Sequence, residues 1–434
     1  MMADMRDYLE LRGDIRLSER PFNDVDNLVL STLAYLDLTG IVGGECTAGE
    51  KDAPAGSAGN VTVAEACSEL LRRADGDLSP YVRSLASVDE RFVRALGASA
   101  RFGTARLVDY VDVRDEERVL QFSAVTVELD TGARPGAAGE PTAPETYVAF
   151  RGTDTTLVGW REDFILTFAV TEAQREAAAY LERALARAAA SGRRVRVGGH
   201  SKGGNLAAYA AAVCPEALRS HIERVYSNDG PGMDPDVVPV RCVDAMGERY
   251  TRILPRYSVV GRLFSDSAPC TIVESSATRT LQHDPLSWQV RTNGFVEAEG
   301  FDPECVVVGR AFATWLARLE PSDRELVTNE LFDALEVGGA TSFEDLFSSV
   351  GAAQQVLAAL GDLDPRSAEL IRDLVGELVG ASAAATRDAV AEAVTDAAAE
   401  VAVRAREALA SLIAGGSEQG LAARGDTDEG EDGR

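Results

Sequence analysis

The sequence predicts an α/β fold, a mostly parallel sheet with flanking helices, and a helical C-terminal region added to it. Three observations carry this. Short apolar runs at 147–150, 195–198, 224–227, 250–254 and 270–274 have the length of strands, and Tyr147-Val148-Ala149-Phe150 is continuous enough to be buried on both faces. Helical patterns at 172–190 and 202–213 alternate with these runs, as helices on the faces of a parallel sheet do. From 303 onward the chain reads as helix throughout. At 434 residues it has room for one large α/β domain and a smaller addition. The expected division is 1–302, 303–414 and an acidic tail at 415–434.

Earlier elements follow from local chemistry. Pro21-Phe22-Asn23-Asp24 opens the 21–39 region, where Asn23 or Asp24 can cap a helix with apolar residues at i, i+3, i+4. Residues 41–60, rich in Gly, Ala and small polar residues, read as a loop. Helical patterns cover 63–74 and 80–97. Residues 105–113 and 118–129, rich in Val, Leu, Tyr and Phe and separated by Asp115-Glu116-Glu117, read as a β-hairpin. A Gly/Pro/Thr loop follows at 131–144.

Further along, Pro321-Ser322 and Asp364-Pro365 mark helix starts. Residues 383–413 are Ala-rich, with Glu392, Asp396, Glu400, Arg404 and Glu407 at helical spacing and Val390, Val394, Val401 and Leu409 interleaved. Such an arm can dimerise the chain, making a homo-oligomer, or pack against the core. The tail at 415–434 holds six acids against two arginines and reads as disordered.

Composition excludes several functions. With 43 basic and 70 acidic residues the net charge is −27, which repels phosphate backbones and makes nucleic acid a poor partner. No apolar run reaches the roughly eighteen residues of a transmembrane segment. The N-terminus lacks a basic stretch followed by an apolar one, so no signal peptide is expected. Cys46, Cys67, Cys214, Cys242, Cys270 and Cys305 are scattered without a C-x-x-C pair. They read as reduced thiols of a cytoplasmic protein, and no metal or cofactor is expected. Histidine is scarce: His200, His221 and His283 are the three.

The strongest local signal is Val195-Arg196-Val197-Gly198-Gly199-His200-Ser201-Lys202-Gly203-Gly204. Residues 199–203 fit G-x-S-x-G, with a strand before and an Ala-rich helix after, the setting of a nucleophile elbow. Ser201 must sit on a sharp, strained turn, and side chains at 199 and 203 would collide with backbone, so both are glycine. The helix N-terminus beneath the serine favours developing negative charge.

A serine hydroxyl needs a base. His200 adjoins Ser201 and should point away on a tight turn, and His221 reads as a surface imidazole. His283, in Leu281-Gln282-His283-Asp284-Pro285, lies just beyond the last predicted strand. The acid that orients it is open between Asp229, in Ser227-Asn228-Asp229-Gly230-Pro231, and Asp266, with Asp284 a turn residue or cap. Oxyanion donors are expected from the amide of Lys202 and from Thr153, after the 147–150 strand. Thr153 can equally cap a helix ahead of Trp160. The Lys202 ammonium can favour an anionic substrate or simply be solvated.

Two families resemble this pattern. Ala149-Phe150-Arg151-Gly152-Thr153 with Trp160 and Asp163, and Gly-His-Ser-Lys-Gly-Gly at 199–204, resemble the oxyanion loop and elbow of class 3 lipases. A closer resemblance is to the Mbeg-like family of bacterial α/β-hydrolase-like proteins. It is carried by Phe22-Asn23-Asp24-Val25-Asp26-Asn27-Leu28, Asn228-Asp229-Gly230-Pro231-Gly232, Leu254-Pro255 with Ser258-Val259-Val260-Gly261, and Gln282-His283-Asp284-Pro285 with Ser287-Trp288. The resemblance implies an α/β-hydrolase-like fold over about 20–300. It makes Ser201 the nucleophile, His283 the base, and Thr153 and Lys202 the oxyanion donors. Class 3 lipases place an aspartate near the segment that 254–261 resembles. Ser258 stands there instead, and the Asp-Gly-Pro turn, similar to the acid site of pancreatic-type lipases, favours Asp229.

Two functions compete. One is a serine hydrolase cleaving a small-molecule ester, thioester or lipid through an acyl-enzyme, with acyl transfer to another acceptor as a variant. The other is a hydrolase scaffold working as a binding module. The separation of the Ser201 hydroxyl from the His283 ring discriminates them.

Overall fold

Alternation along the buried strands sets the layering. In the strand Glu145–Phe150, Tyr147 and Ala149 face one apolar cluster, while Val148 and Phe150 face another. The sheet is therefore covered on both faces, and both clusters must be supplied with helices. The computed structural model describes residues 3–44, 61–84, 86–132, 143–154, 161–330 with short gaps, and a stretch near 364–373.

The sheet has eight strands in strictly sequential order: β1 (Val61–Thr62), β2 (Arg106–Asp115), β3 (Leu120–Leu129), β4 (Glu145–Phe150), β5 (Arg194–His200), β6 (Ile222–Asn228), β7 (Tyr250–Pro255) and β8 (Cys270–Val273). β1 to β4 pair antiparallel, and β4 to β8 pair parallel. The hairpin and the five apolar runs all appear as strands, within a few residues of their expected bounds. This is the α/β-hydrolase-like arrangement the sequence implies.

One face carries α1 (Met5–Arg12), α2 (Asp24–Leu33), α3 (Val63–Ala74) and α4 (Glu90–Ala98). The other carries α5 (Glu172–Ala190) and α6 (Lys202–Val213), whose alanines let the two helices lie close together, α5 over β3 to β5 and α6 over β4 to β6. Asn23 caps α2 through a reciprocal box with Asp26, and Thr171 caps α5 in the same way with Gln174. α1, missed in the sequence, starts at an Asp4–Asp7 capping box.

The helix expected over 80–97 is shorter. Residues 81–83 instead meet the chain at 35–37, with Arg83 N–H on the Tyr35 carbonyl at 2.8 Å and a Leu36–Val82 bridge. The Asp89 carboxylate then caps the Phe92 amide, so helix begins only at Glu90.

Beyond the sheet, α7 (Pro303–Arg318) opens the C-terminal region, and helical residues follow Pro321 and Pro365. The described residues all belong to one compact unit, which ends at Leu378. The 383–413 helix and the 415–434 tail lie outside the described residues, as do Asp266 and most of the loops at 41–60 and 131–144. Among the described residues no helix is long and apolar enough to cross a membrane. Cys67, Cys214, Cys242, Cys270 and Cys305 are free thiols.

Candidate functional site

β5 ends at His200 and α6 begins at Lys202, leaving Ser201 alone to reverse the chain. Its backbone is strained, with φ 57° and ψ −130°. The turn closes only because two neighbours lack side chains. A Cβ on Gly199 would sit 2.3 Å from the Gly203 carbonyl, and one on Gly203 would sit 2.2 Å from the Phe150 oxygen. The Ser201 amide donates to the Asn228 carbonyl at 2.9 Å, which hangs the turn on β6.

The three residues singled out as nucleophile, base and acid meet at the C-terminal edge of the sheet. The Ser201 Oγ lies 3.0 Å from His283 Nε2, and His283 Nδ1 lies 2.6 Å from Asp229 Oδ2. A carboxylate only accepts, so Nδ1 carries the proton and Nε2 is left to accept from the serine. Asp229 follows β6 in a left-handed conformation, φ 47°, which turns its side chain back over the sheet. It is buried, whereas the His283 side chain is 33% exposed and borders solvent. The other Asp229 oxygen accepts from the Ser258 hydroxyl and, at 3.2 Å, from the Gly261 amide. Ser258, beyond the end of β7, thus anchors an acid from the neighbouring strand. Asp284 caps the turn at Pro285–Ser287, as a local role requires.

His200 turns away from Ser201, into the protein. Its Nε2 faces the His283 carbonyl at 2.8 Å and must donate, so Nδ1 accepts from the Tyr35 hydroxyl, also at 2.8 Å. It therefore holds the main chain of the residue whose ring meets Ser201. Burial, with the nearby His283 ring adding to it, pushes the His200 imidazole well below its ordinary 6.5. The unfolded chain then binds a proton that the folded chain refuses. The His200 contribution to stability is full above pH 6.5 and is lost as pH falls below it. Urea midpoints are expected to drop between pH 7.5 and pH 5, and His200→Gln should flatten that slope; an unchanged slope in the variant would refute the assignment.

A buried polar cluster lies beneath the turn. The Asn27 and Asn228 amides pair at 2.8 and 3.1 Å, and Asn228 also donates to Ser31 and to the Gly199 carbonyl. Tyr147 donates to Asn27 Oδ1 at 2.7 Å. These bonds tie α2 to β5 and β6, on either side of the serine and directly before the aspartate. The sequence flagged Asn27 and Asn228 only through family resemblance, and it missed Tyr35.

The segment after β4 passes beside the serine: a Cβ on Gly152 would lie 3.2 Å from Ser201 Cβ and 2.7 Å from the His200 carbonyl. Thr153 follows immediately and is buried. Lys202 differs from expectation. Its side chain is neither solvated nor aimed at a substrate. It is 1% exposed and donates to the Gln121 carbonyl and Oε1, both at 3.0 Å, and to Glu162 at 3.1 Å. The main-chain amide of residue 202, at the first position of α6, remains the expected donor. Among the described residues no cluster of His, Cys, Asp or Glu is arranged to hold a metal ion.

Three lipases are among the solved structures similar to this chain, each at low identity. The M37 lipase is 16% identical over 54% of this chain and 68% of that chain, with a TM-score of 0.33. A fungal lipase–inhibitor complex is 14% identical over 49% and 78%, with a TM-score of 0.31. The extracellular lipase LipA from Serratia marcescens is 15% identical over 55% and 39%, with a TM-score of 0.29. No curated protein matches the chain significantly. The Mbeg1-like family profile matches residues 96–333, which span most of the sheet, Ser201, Asp229 and His283. That match covers more than half of the 434 residues, and the chain belongs to the Mbeg1-like family.

Proposed function

We propose that the protein is a serine hydrolase that cleaves a small-molecule ester, thioester or lipid through an acyl-enzyme on Ser201. The observation that carries this is the unbroken path Ser201 Oγ to His283 Nε2 at 3.0 Å and His283 Nδ1 to Asp229 at 2.6 Å, on a strained turn at a helix N-terminus. A scaffold that only binds ligands has no need of that path.

His283 Nε2 takes the serine proton as Oγ bonds to the substrate carbonyl carbon. The carbonyl oxygen becomes an oxyanion facing the amides of Lys202 and Thr153. Asp229 stabilises the imidazolium and holds its tautomer. The imidazolium then protonates the leaving alcohol or thiol, and the acyl group stays on Ser201. Water, deprotonated by His283, attacks the acyl-enzyme, and the proton returns to Oγ as the acid leaves. A cytoplasmic location, suggested by free thiols, belongs to the same proposal.

A fluorophosphonate probe is expected to label the wild-type protein once per chain and to leave Ser201→Ala unlabelled. Equal labelling of that variant, or none of the wild type, would overturn the reading.

A further inference from the structure

The buried lysine beside the nucleophile is a charge that the proposed hydrolysis does not use. Its ammonium has three hydrogens, and all three are engaged inward by Gln121 O, Gln121 Oε1 and Glu162 Oε2. Glu162 is equally buried and equally occupied. Oε2 also accepts from the Gln121 amide at 3.1 Å, and Oε1 accepts from the Ala173 amide at 3.0 Å, in the first turn of α5. The carboxylate thus sits where a 19-residue helix presents its positive end.

The chain positions of these groups matter more than their charge. Lys202 is the first residue of α6, and its own amide is one expected oxyanion donor. Glu162 lies in the segment between β4 and α5, nine residues beyond Thr153, the other expected donor. One ion pair therefore joins the segment that presents the residue 202 amide to β3 and to the first turn of α5. An apolar side chain at 202 would fill space but hold no direction. Buried ion pairs are seldom kept for stability, since apolar pairs of similar volume serve as well. They do impose a definite geometry, because every polar atom must keep its partner in a poorly solvated interior.

We infer that Lys202 and Glu162 are positioning residues for the hydrolase proposed above, holding the start of α6, and with it the amide of residue 202, in a fixed relation to β3 and the first turn of α5. The inference rests on that reading. It assigns the lysine no contact with substrate, so the ammonium selects for no substrate charge.

The test replaces both charges, in Lys202→Met/Glu162→Leu, so that neither is left buried alone. The near-isosteric Glu162→Gln is measured beside it, in case the double variant does not fold. Readouts are the urea midpoint, the second-order rate of fluorophosphonate labelling, and kcat and KM on a p-nitrophenyl ester. A folded variant is expected to lose about tenfold or more in labelling rate and kcat, as small misplacements of catalytic groups do. KM should stay within about threefold, because ground-state binding is untouched. Wild-type labelling rate and kcat in either folded variant would overturn the inference while leaving the hydrolase reading intact. A parallel rise in KM with unchanged kcat would overturn it too. Failure of the wild type to label would instead remove the hydrolase reading, and this inference with it.

Discussion

Replacing Asp229 with asparagine is expected to lower kcat by about 10⁴-fold, and replacing His283 with alanine by about 10⁵–10⁶-fold. The first figure corresponds to about 5.5 kcal/mol of lost transition-state stabilisation. Its cause is a tautomer, not a collapsed site. An asparagine at 229 can still turn its oxygen toward the Ser258 hydroxyl and the Gly261 amide. Its NH₂ then faces His283 Nδ1, which must become the acceptor. The ring proton moves to Nε2 and points at Ser201, which has nowhere to send its own proton. The measurement is kcat on an activated ester, with a urea midpoint to show that the variant is folded. A loss below tenfold in the folded Asp229→Asn protein would mean that another group orients His283.

The second large effect is on stability. Arg101 and Asp26 form an ion pair with side-chain exposures of 2% and 0%. Arg101 Nε donates to Asp26 Oδ1 at 2.7 Å, and its other nitrogens reach the carbonyls of Ile15, Arg20 and Pro21. Asp26 also accepts from Tyr8 and from the Asn23 amide in the α2 capping box. Arg101→Met leaves a buried carboxylate without its cation and three carbonyls without a donor. The expected cost is about 3–5 kcal/mol, seen as a lowered urea midpoint with an unchanged slope. Arg101→Met/Asp26→Leu should recover part of that loss, though not all, because Asp26 has further partners. A cost below about 1 kcal/mol for the single variant would show the pair behaving like a solvated one.

The parts of this molecule that could be read from its sequence are those governed by short-range rules. The turn at 199–203 follows from steric demands within five residues, and the strands follow from runs of apolar side chains. His283 was reachable because only three histidines exist and two were badly placed. Asp229 was harder, since a Gly-Pro turn after a strand says where a carboxylate can rise but not what will hold it. Its anchor, Ser258, lies 29 residues away. Lys202 was misread for the same reason. A lysine at the first position of a helix ordinarily projects into water, and only the convergence of Gln121 and Glu162, 81 and 40 residues earlier, draws it inward. Tyr35 and the Asn27–Asn228 pair are buried polar contacts that no periodicity encodes, spanning 165 and 201 residues. The helix expected at 80–97 lost its first half to a pairing with the chain at 35–37, a tertiary contact overriding a plausible local pattern.

The sequential strand order has a consequence for biosynthesis. From β4 to β8 each new strand joins the growing edge beside the one made just before it. On a ribosome the serine turn can therefore take shape as soon as β6 has emerged, while its histidine is still unsynthesised. The two residues are 82 positions apart, a delay on the order of ten seconds at usual elongation rates. On the hydrolase reading proposed above, the serine is an ordinary alcohol throughout that interval, and a product terminated before residue 283 is expected to carry the sheet's edge and to escape a fluorophosphonate probe.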